Sequence, residues 1–98
     1  MSIDYFCFSD FNLPIAEKTN ESLLNNYLFK EKIFILYPIE KYDEEFSDME
    51  KVKNFNPSCY FLISLAKKNE VEKTHELIIL LKQIYQTHLI IMLDGTII

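Results

Sequence analysis

The chain contains no arginine, no tryptophan and a single glycine, Gly95. A glycine-rich loop is required wherever the backbone approaches a phosphate closely, so the GxGxxG fingerprint and the Walker A loop are both excluded. All ten cations are lysines, and arginine is the residue that contacts phosphates and guanine edges through two parallel hydrogen bonds. Because phosphate backbones attract basic proteins, a sequence pI of about 4.9 also argues against a nucleic-acid partner.

Cysteine and histidine are also scarce. Cys7 and Cys59 lie far apart in the sequence, and no CxxC motif is present. His75 and His88 fall on different predicted elements, whereas a metal site needs three or four converging ligands. We therefore predict no metal site and no cofactor, and we interpret both cysteines as buried packing residues.

The first residues, MSIDYF, lack the positive region and the apolar region of a signal peptide. No apolar run reaches the length of a membrane span. We therefore expect a cytoplasmic protein without a membrane partner. Its 98 residues, 49% of them hydrophobic, predict one domain over 1–98 with one core.

Four segments rich in β-branched and aromatic residues are predicted as strands: 3–9, 32–37, 59–65 and 89–93. Three helices are predicted between them from apolar spacing: 20–29, 43–54 and 70–87. The strands are apolar on both faces, which indicates a sheet covered by helices on both sides.

This alternation predicts a single α/β domain with a central four-stranded, mostly parallel sheet of the flavodoxin-like type. If 43–54 is a loop, the second and third strands become antiparallel, and a ferredoxin-like βαββαβ fold results. Asp94-Gly95 predicts a tight turn into a short final strand.

The most unusual feature is the segment EKYDEEFSDME at 40–50, named the acidic segment below. Its six acids and one lysine sum to −5, which equals the net charge of the whole chain. In the predicted parallel sheet it follows the second strand, at the edge where ligands bind, beside Asp10 and Asp94.

Two interpretations of the acidic segment remain open. Acids are favourable at a helix N-terminus and are commonly solvated, whereas a concentrated negative field accelerates encounter with a basic partner. We predict a partner-binding surface made of six residues: Glu40, Tyr42, Asp43, Glu44, Glu45 and Asp48.

Two stretches, DYFCFS at 4–9 and SLAKKNEVEKTHEL at 64–77, resemble the Toll/interleukin-1 receptor (TIR) domain family. The resemblance implies a parallel α/β signalling scaffold. In catalytic members of that family a glutamate at the position of Glu76 cleaves NAD, which makes Glu76 the alternative catalytic residue. The pattern around Glu76 is equally that of a solvent-facing helix residue beside His75.

Small size, acidity and the lack of a catalytic motif resemble, as a class, the bacterial immunity proteins. These include proteins paired with contact-dependent inhibition toxins and with nuclease colicins. The resemblance implies a non-enzymatic protein that binds a cognate basic toxin, commonly a nuclease, and neutralises it. We therefore predict a non-catalytic toxin-binding protein, with the TIR-like scaffold and the NAD-cleaving enzyme as alternatives.

Overall fold

All strand pairs in this protein are antiparallel within the part of the chain that the computed structural model describes, residues 2–43 and 49–98. Six strands form one sheet there: β1 (Asp4–Ser9), β2 (Phe34–Leu36), β3 (Glu40–Lys41), β4 (Cys59–Leu65), β5 (Leu89–Leu93) and β6 (Thr96–Ile97). Their spatial order is β2-β4-β1-β5-β6, and β3 also pairs with β4. The four segments predicted as strands correspond to β1, β2, β4 and β5.

The predicted parallel, flavodoxin-like sheet is wrong. The order β2-β4-β1-β5 with antiparallel neighbours is the arrangement given by the ferredoxin-like alternative. The physical reason is that the connection from β3 to β4 does not cross the sheet. It leaves β3 at Lys41 and enters β4 at Cys59, and these two residues pair directly with each other. Its helix α3 (Glu50–Phe55) has six residues and a length of about 9 Å, so it does not act as a crossover.

The other helices are α1 (Leu13–Leu23), α2 (Tyr27–Lys30) and α4 (Thr74–Tyr85), with a 3₁₀ segment, Lys68–Lys73, before α4. Helix α1 begins at Asn12, whose side chain accepts a hydrogen bond of 3.0 Å from the backbone nitrogen of Ile15. Pro14 in its first turn suits this start. The predicted helix 20–29 is misplaced, because Asn26 caps a separate helix, α2.

The main core lies between one face of the sheet and helices α1, α2 and α4. Helix α4 buries Leu77, Leu81 and Tyr85, which recur every four residues and so form one stripe. The ring of Tyr85 stacks on that of Phe61 with 5.8 Å between centroids. The strand side chains on this face include Tyr5, Cys7, Phe61, Ile63 and Ile91.

The opposite face of the sheet, named the outer face below, is less completely covered. Phe8 is fully buried there, and helix α3 contributes the buried Val52 to the core. By contrast, Phe6 and its cross-strand partners Leu62 and Met92 are half-buried. The two faces of the sheet therefore differ in their access to solvent.

The predicted turn at Asp94-Gly95 is present and joins β5 to β6. Both residues have positive φ angles, 51° and 77°, as a type I′ hairpin turn requires. Among the described residues, no helix combines the length and the apolar character needed to cross a membrane.

Candidate functional site

The acidic segment begins on the edge of the sheet. Strands β2 and β3 both pair with β4. Between the pair Leu36–Ile63 and the pair Glu40–Tyr60, the edge strand advances by four residues and β4 by only three, so the edge strand contains one extra residue. This extra residue is a β-bulge at residues 38–39, where Pro38 is tolerated because an edge strand has backbone groups that face away from the sheet. The bulge places Glu40 opposite Tyr60, whose hydroxyl donates a hydrogen bond of 2.7 Å to its carboxylate.

Tyr42, one of the six predicted partner-binding residues, is half-buried. Its ring meets the ring of Phe8 edge-on, with 5.9 Å between centroids and an interplanar angle of 83°. Its backbone nitrogen donates to the carbonyl of Ser58 at 3.0 Å, which continues the pairing with the start of β4. Tyr42 therefore contributes to packing of the outer face as well as to the surface.

Of the other predicted partner-binding residues, Glu40 and Asp43 are exposed. Glu44, Glu45 and Asp48 lie outside the described residues. Lysines also stand close to this surface: Lys41 follows Glu40 on β3, and Lys53 lines a pocket of about 330 Å³ with Tyr42. The described part of the segment is thus a mixed surface rather than a uniformly acidic one.

The structure does not bring the acidic segment, Asp10 and Asp94 together at one edge. Strands that pair with each other in an antiparallel sheet run in opposite directions, so β1 and β5 end at opposite ends of the sheet. Asp10 follows Ser9, which pairs with Cys59 and Leu89, and so lies at the end where β4 and β5 begin. Asp94 lies beyond the other end of β5, which is about 17 Å long. The start of the acidic segment and Asp10 lie at the same end of β4, because Lys41 and Ser9 both pair with Cys59. Asp94 lies elsewhere, so the predicted three-way cluster is wrong.

Glu76, the alternative catalytic residue, is exposed in the first turn of α4. Its carboxylate accepts a hydrogen bond from the hydroxyl of Tyr27 and lies 3.8 Å from the ammonium of Lys73. The hydrogen bond to Glu76 raises the pKa of Tyr27, and the charge of Glu76 raises the pKa of Lys73. These contacts tie α2 to the start of α4 on the surface.

His88 lies beside Asp10, with 2.9 Å between Nδ1 and Oδ1, and its ring stacks on Phe11 at 4.9 Å between centroids. The hydroxyl of Ser9 donates to the carbonyl of His88 at 2.7 Å. These contacts join the end of β1 to the start of β5. Within 2–43 and 49–98, no group of three or more His, Cys, Asp and Glu residues has the arrangement of a metal site.

Both cysteines are free and buried. Cys7 pairs with Phe61, and Ser9 pairs with Cys59, so the two thiols share a face on neighbouring strands in a diagonal arrangement. Burial raises the pKa of the Cys7 thiol. Burial and the charge of Asp10 raise the pKa of Cys59 to about 11. Both therefore pack as neutral groups, and neither is a nucleophile at neutral pH.

This chain superposes on a chain of the CdiA-CT/CdiI toxin and immunity complex from Burkholderia pseudomallei with a TM-score of 0.83 and 23% sequence identity. The two share a fold. The match covers 95% of this chain and 92% of that one. No family model and no curated protein sequence matches the chain.

The structural neighbour is thus a chain from a toxin–immunity complex. The resemblance to TIR domains is not supported, because the parallel sheet that it implies is replaced by an antiparallel one.

A cleft between α1 and the edge formed by β2 and β3 was missed from the sequence. It is lined by Glu17, Asn20 and Glu21 on one side and by residues 36–39 on the other, directly before Glu40. It was missed because the first helix was predicted at 20–29, which leaves Glu17 outside the helix. Asn12 followed by Leu-Pro was the available signal for the true helix start.

Proposed function

We propose that this protein is an immunity protein that binds a cognate protein toxin and neutralises it, without catalytic activity of its own. The observation that carries the proposal is the close structural match, over almost the whole of both chains, to a chain of a toxin–immunity complex. A fold shared over that length supports a shared way of presenting a binding surface, although folds host many functions.

The charge of the chain supports the inhibitor role over that of the toxin. A protein that acts on a nucleic acid needs cations at its phosphate-binding site, and this chain has no arginine and a net charge of −5. An inhibitor of such a protein needs acidic residues instead of cations. Acids placed opposite the toxin's lysines and arginines occupy the positions of substrate phosphates. We therefore propose a basic toxin, with a nuclease as its most fitting class.

We propose that the toxin contacts the acidic segment, through Glu40, Tyr42, Asp43, Glu44, Glu45 and Asp48. The position of Glu40 supports this, because its hydrogen bond with Tyr60 orients a carboxylate at the exposed edge of the sheet. An acid held in place loses less conformational entropy on binding than one on a free side chain. The bound inhibitor would then exclude the substrate from the toxin's active site in the cytoplasm.

The test is co-expression with the toxin domain encoded beside this protein in the genome. We expect the toxin alone to arrest growth, and this protein to restore growth and to co-purify with the toxin at a ratio of one to one. Expression of this protein alone should leave growth unchanged. Growth arrest that persists during co-expression, with no complex recovered, overturns the proposal.

A further inference from the structure

The cleft between α1 and the edge of the sheet has a volume of about 310 Å³. Helix α1 contributes Glu17, Asn20 and Glu21, its C-cap residue Leu24 lines the cleft as well, and the edge contributes residues 36–39. The size lies at the lower end of the range for ligand sites, which suits a single side chain better than a cofactor. Because residue 39 immediately precedes Glu40, the cleft adjoins the proposed toxin-binding surface.

The described charged residues that line the cleft, Glu17 and Glu21, are both acidic. Glu17 and Glu21 are four residues apart on α1, so their carboxylates lie on the same face of the helix. No lysine is among the described residues that line the cleft. Like charges at this spacing destabilise a helix slightly, and a cation placed between them removes that repulsion.

Asn20 supplies an independent observation that points to a ligand. It is 6% exposed, and its Oδ1 accepts a hydrogen bond of 2.5 Å from the hydroxyl of Tyr85. Its Nδ2 finds no acceptor among residues 2–43 and 49–98. A buried donor without a partner is unfavourable and uncommon in folded proteins, so the amide favours a ligand that brings an acceptor into the cleft.

The cleft also has apolar lining residues that are open to solvent. Leu24 is 51% exposed and Tyr37 is 44% exposed, although both are large hydrophobic residues. The aliphatic stem of a lysine or arginine packs on such surfaces while its charged end reaches polar groups. An arginine gains further from the face of a tyrosine ring.

We propose that this cleft receives a basic side chain, arginine or lysine, from the protein partner. The cation lies between the carboxylates of Glu17 and Glu21, the stem packs on Leu24 and Tyr37, and a backbone carbonyl of the same partner loop accepts from Nδ2 of Asn20. The assignment of this partner as a toxin rests on the proposed function. The chemistry of the cleft itself does not depend on it.

The first experiment measures the affinity of the cognate toxin for the double variant Glu17→Gln/Glu21→Gln. The matched control, Glu31→Gln/Glu72→Gln, removes the same charge from exposed positions that do not line the cleft. We expect the first variant to bind at least tenfold more weakly and the control to bind within twofold of the wild type. Equal affinities for both variants overturn the assignment of the cleft and leave the proposed function standing.

The second experiment uses the protein alone, so that it decides the matter even if no toxin binds. Nα-acetyl-arginine amide is titrated while the side-chain amide signals of Asn20 and the backbone signals of Glu21 and Leu24 are followed by NMR. We expect saturable shifts that are absent with neutral Nα-acetyl-citrulline amide and absent in Glu17→Gln/Glu21→Gln. Identical responses to both compounds, or none to either, overturn the proposal.

Discussion

Glu40 and Tyr60 face each other across the pairing of β3 with β4, and the tyrosine hydroxyl donates a hydrogen bond of 2.7 Å to the carboxylate. This hydrogen bond raises the pKa of Tyr60, because ionisation of the phenol would place two negative charges together. It also joins Glu40, the first acid of the acidic segment, to a strand in the interior of the sheet.

Reversal of this acid, Glu40→Lys, should slow association with the toxin. Because a charge at the edge of the interface acts mainly on the encounter, we expect the association rate at low salt to fall roughly tenfold and the dissociation rate to change little. Stopped-flow measurement at two salt concentrations tests this. Glu72→Lys, an equal charge change on the 3₁₀ segment, serves as the control, and equal slowing by both variants would contradict a local effect.

Reversal of three consecutive acids, Asp43→Lys, Glu44→Lys and Glu45→Lys, should have a larger effect of the same kind. We expect a fall in association rate of up to about a hundredfold at low salt, which shrinks as salt is added. The free energy of unfolding should stay within about 0.5 kcal/mol of the wild type, because the proposal assigns these acids to the partner-binding surface and not to the core. A variant that binds its toxin at the wild-type rate would sink the proposed role of the acidic segment.

The buried stripe of α4 should carry much of the stability of the domain. Leu81 is fully buried in the core, whereas Ile79 on the same helix is 44% exposed. We expect Leu81→Ala to lower the free energy of unfolding by about 2–5 kcal/mol, through lost transfer free energy and a residual cavity. Ile79→Ala should cost below about 1 kcal/mol. Urea denaturation of both variants checks this, and similar losses would contradict the described orientation of α4.

Gln86, just after α4, should be a site of backbone strain. Its φ of 56° with ψ of −123° lies outside the regions that residues with a Cβ adopt readily. We expect Gln86→Gly to raise the free energy of unfolding by about 1 kcal/mol, since glycine adopts this conformation without steric cost. Gln83→Gly, within the helix, should instead lower it by about 1 kcal/mol. Thermal melts of the pair decide the matter, and a destabilised Gln86→Gly variant would contradict the assigned conformation.

The two thiols should be unreactive in the native protein and should make stability fall at alkaline pH. Cys59 has a pKa of about 11 when folded, against an ordinary value of 9.0. Above pH 9 the unfolded chain therefore loses protons that the folded chain keeps, and the free energy of unfolding falls as the pH rises from 9 to 11.

Cys59→Ala should make this decline shallower. Thiol labelling at pH 8 should require unfolding for both cysteines, because the thiolate is the reactive form. Rapid labelling of the native protein would contradict the burial of Cys7 and Cys59.

The strands could be located from the sequence because their signals are local. Segment 59–65 is apolar except for Ser64, segment 89–93 is an uninterrupted apolar run, and β4 and β5 match them. Asp94-Gly95 predicted the final hairpin for the same reason, since the required positive φ angles favour these two residue types.

The direction of the strands could not be read locally. It depends on whether the chain between β2 and β4 crosses the sheet or returns beside it, and the apolar spacing of Phe46, Met49 and Val52 suggested a crossover helix. The pairing of Glu40 with Tyr60 shows that the chain returns beside the sheet. This pairing leaves no signal in composition or periodicity.

The candidate site was predictable only in part. The position of the acids in the chain is given directly by the sequence, and Glu40 and Asp43 are indeed exposed. The nearness of Glu17 and Glu21 to the edge strand is a tertiary relationship between α1 and residues 36–39. It follows from the core packing of Ala16 and Leu23, which sets the orientation of the same helix, and no contiguous motif records it.

The central claim is tested most directly by titrating this protein into a fixed concentration of the cognate toxin domain while toxin activity is measured. For an immunity protein we expect activity to fall linearly and to vanish at one equivalent, because tight binding at the active site is stoichiometric. Undiminished toxin activity at a tenfold excess of this protein would contradict the account.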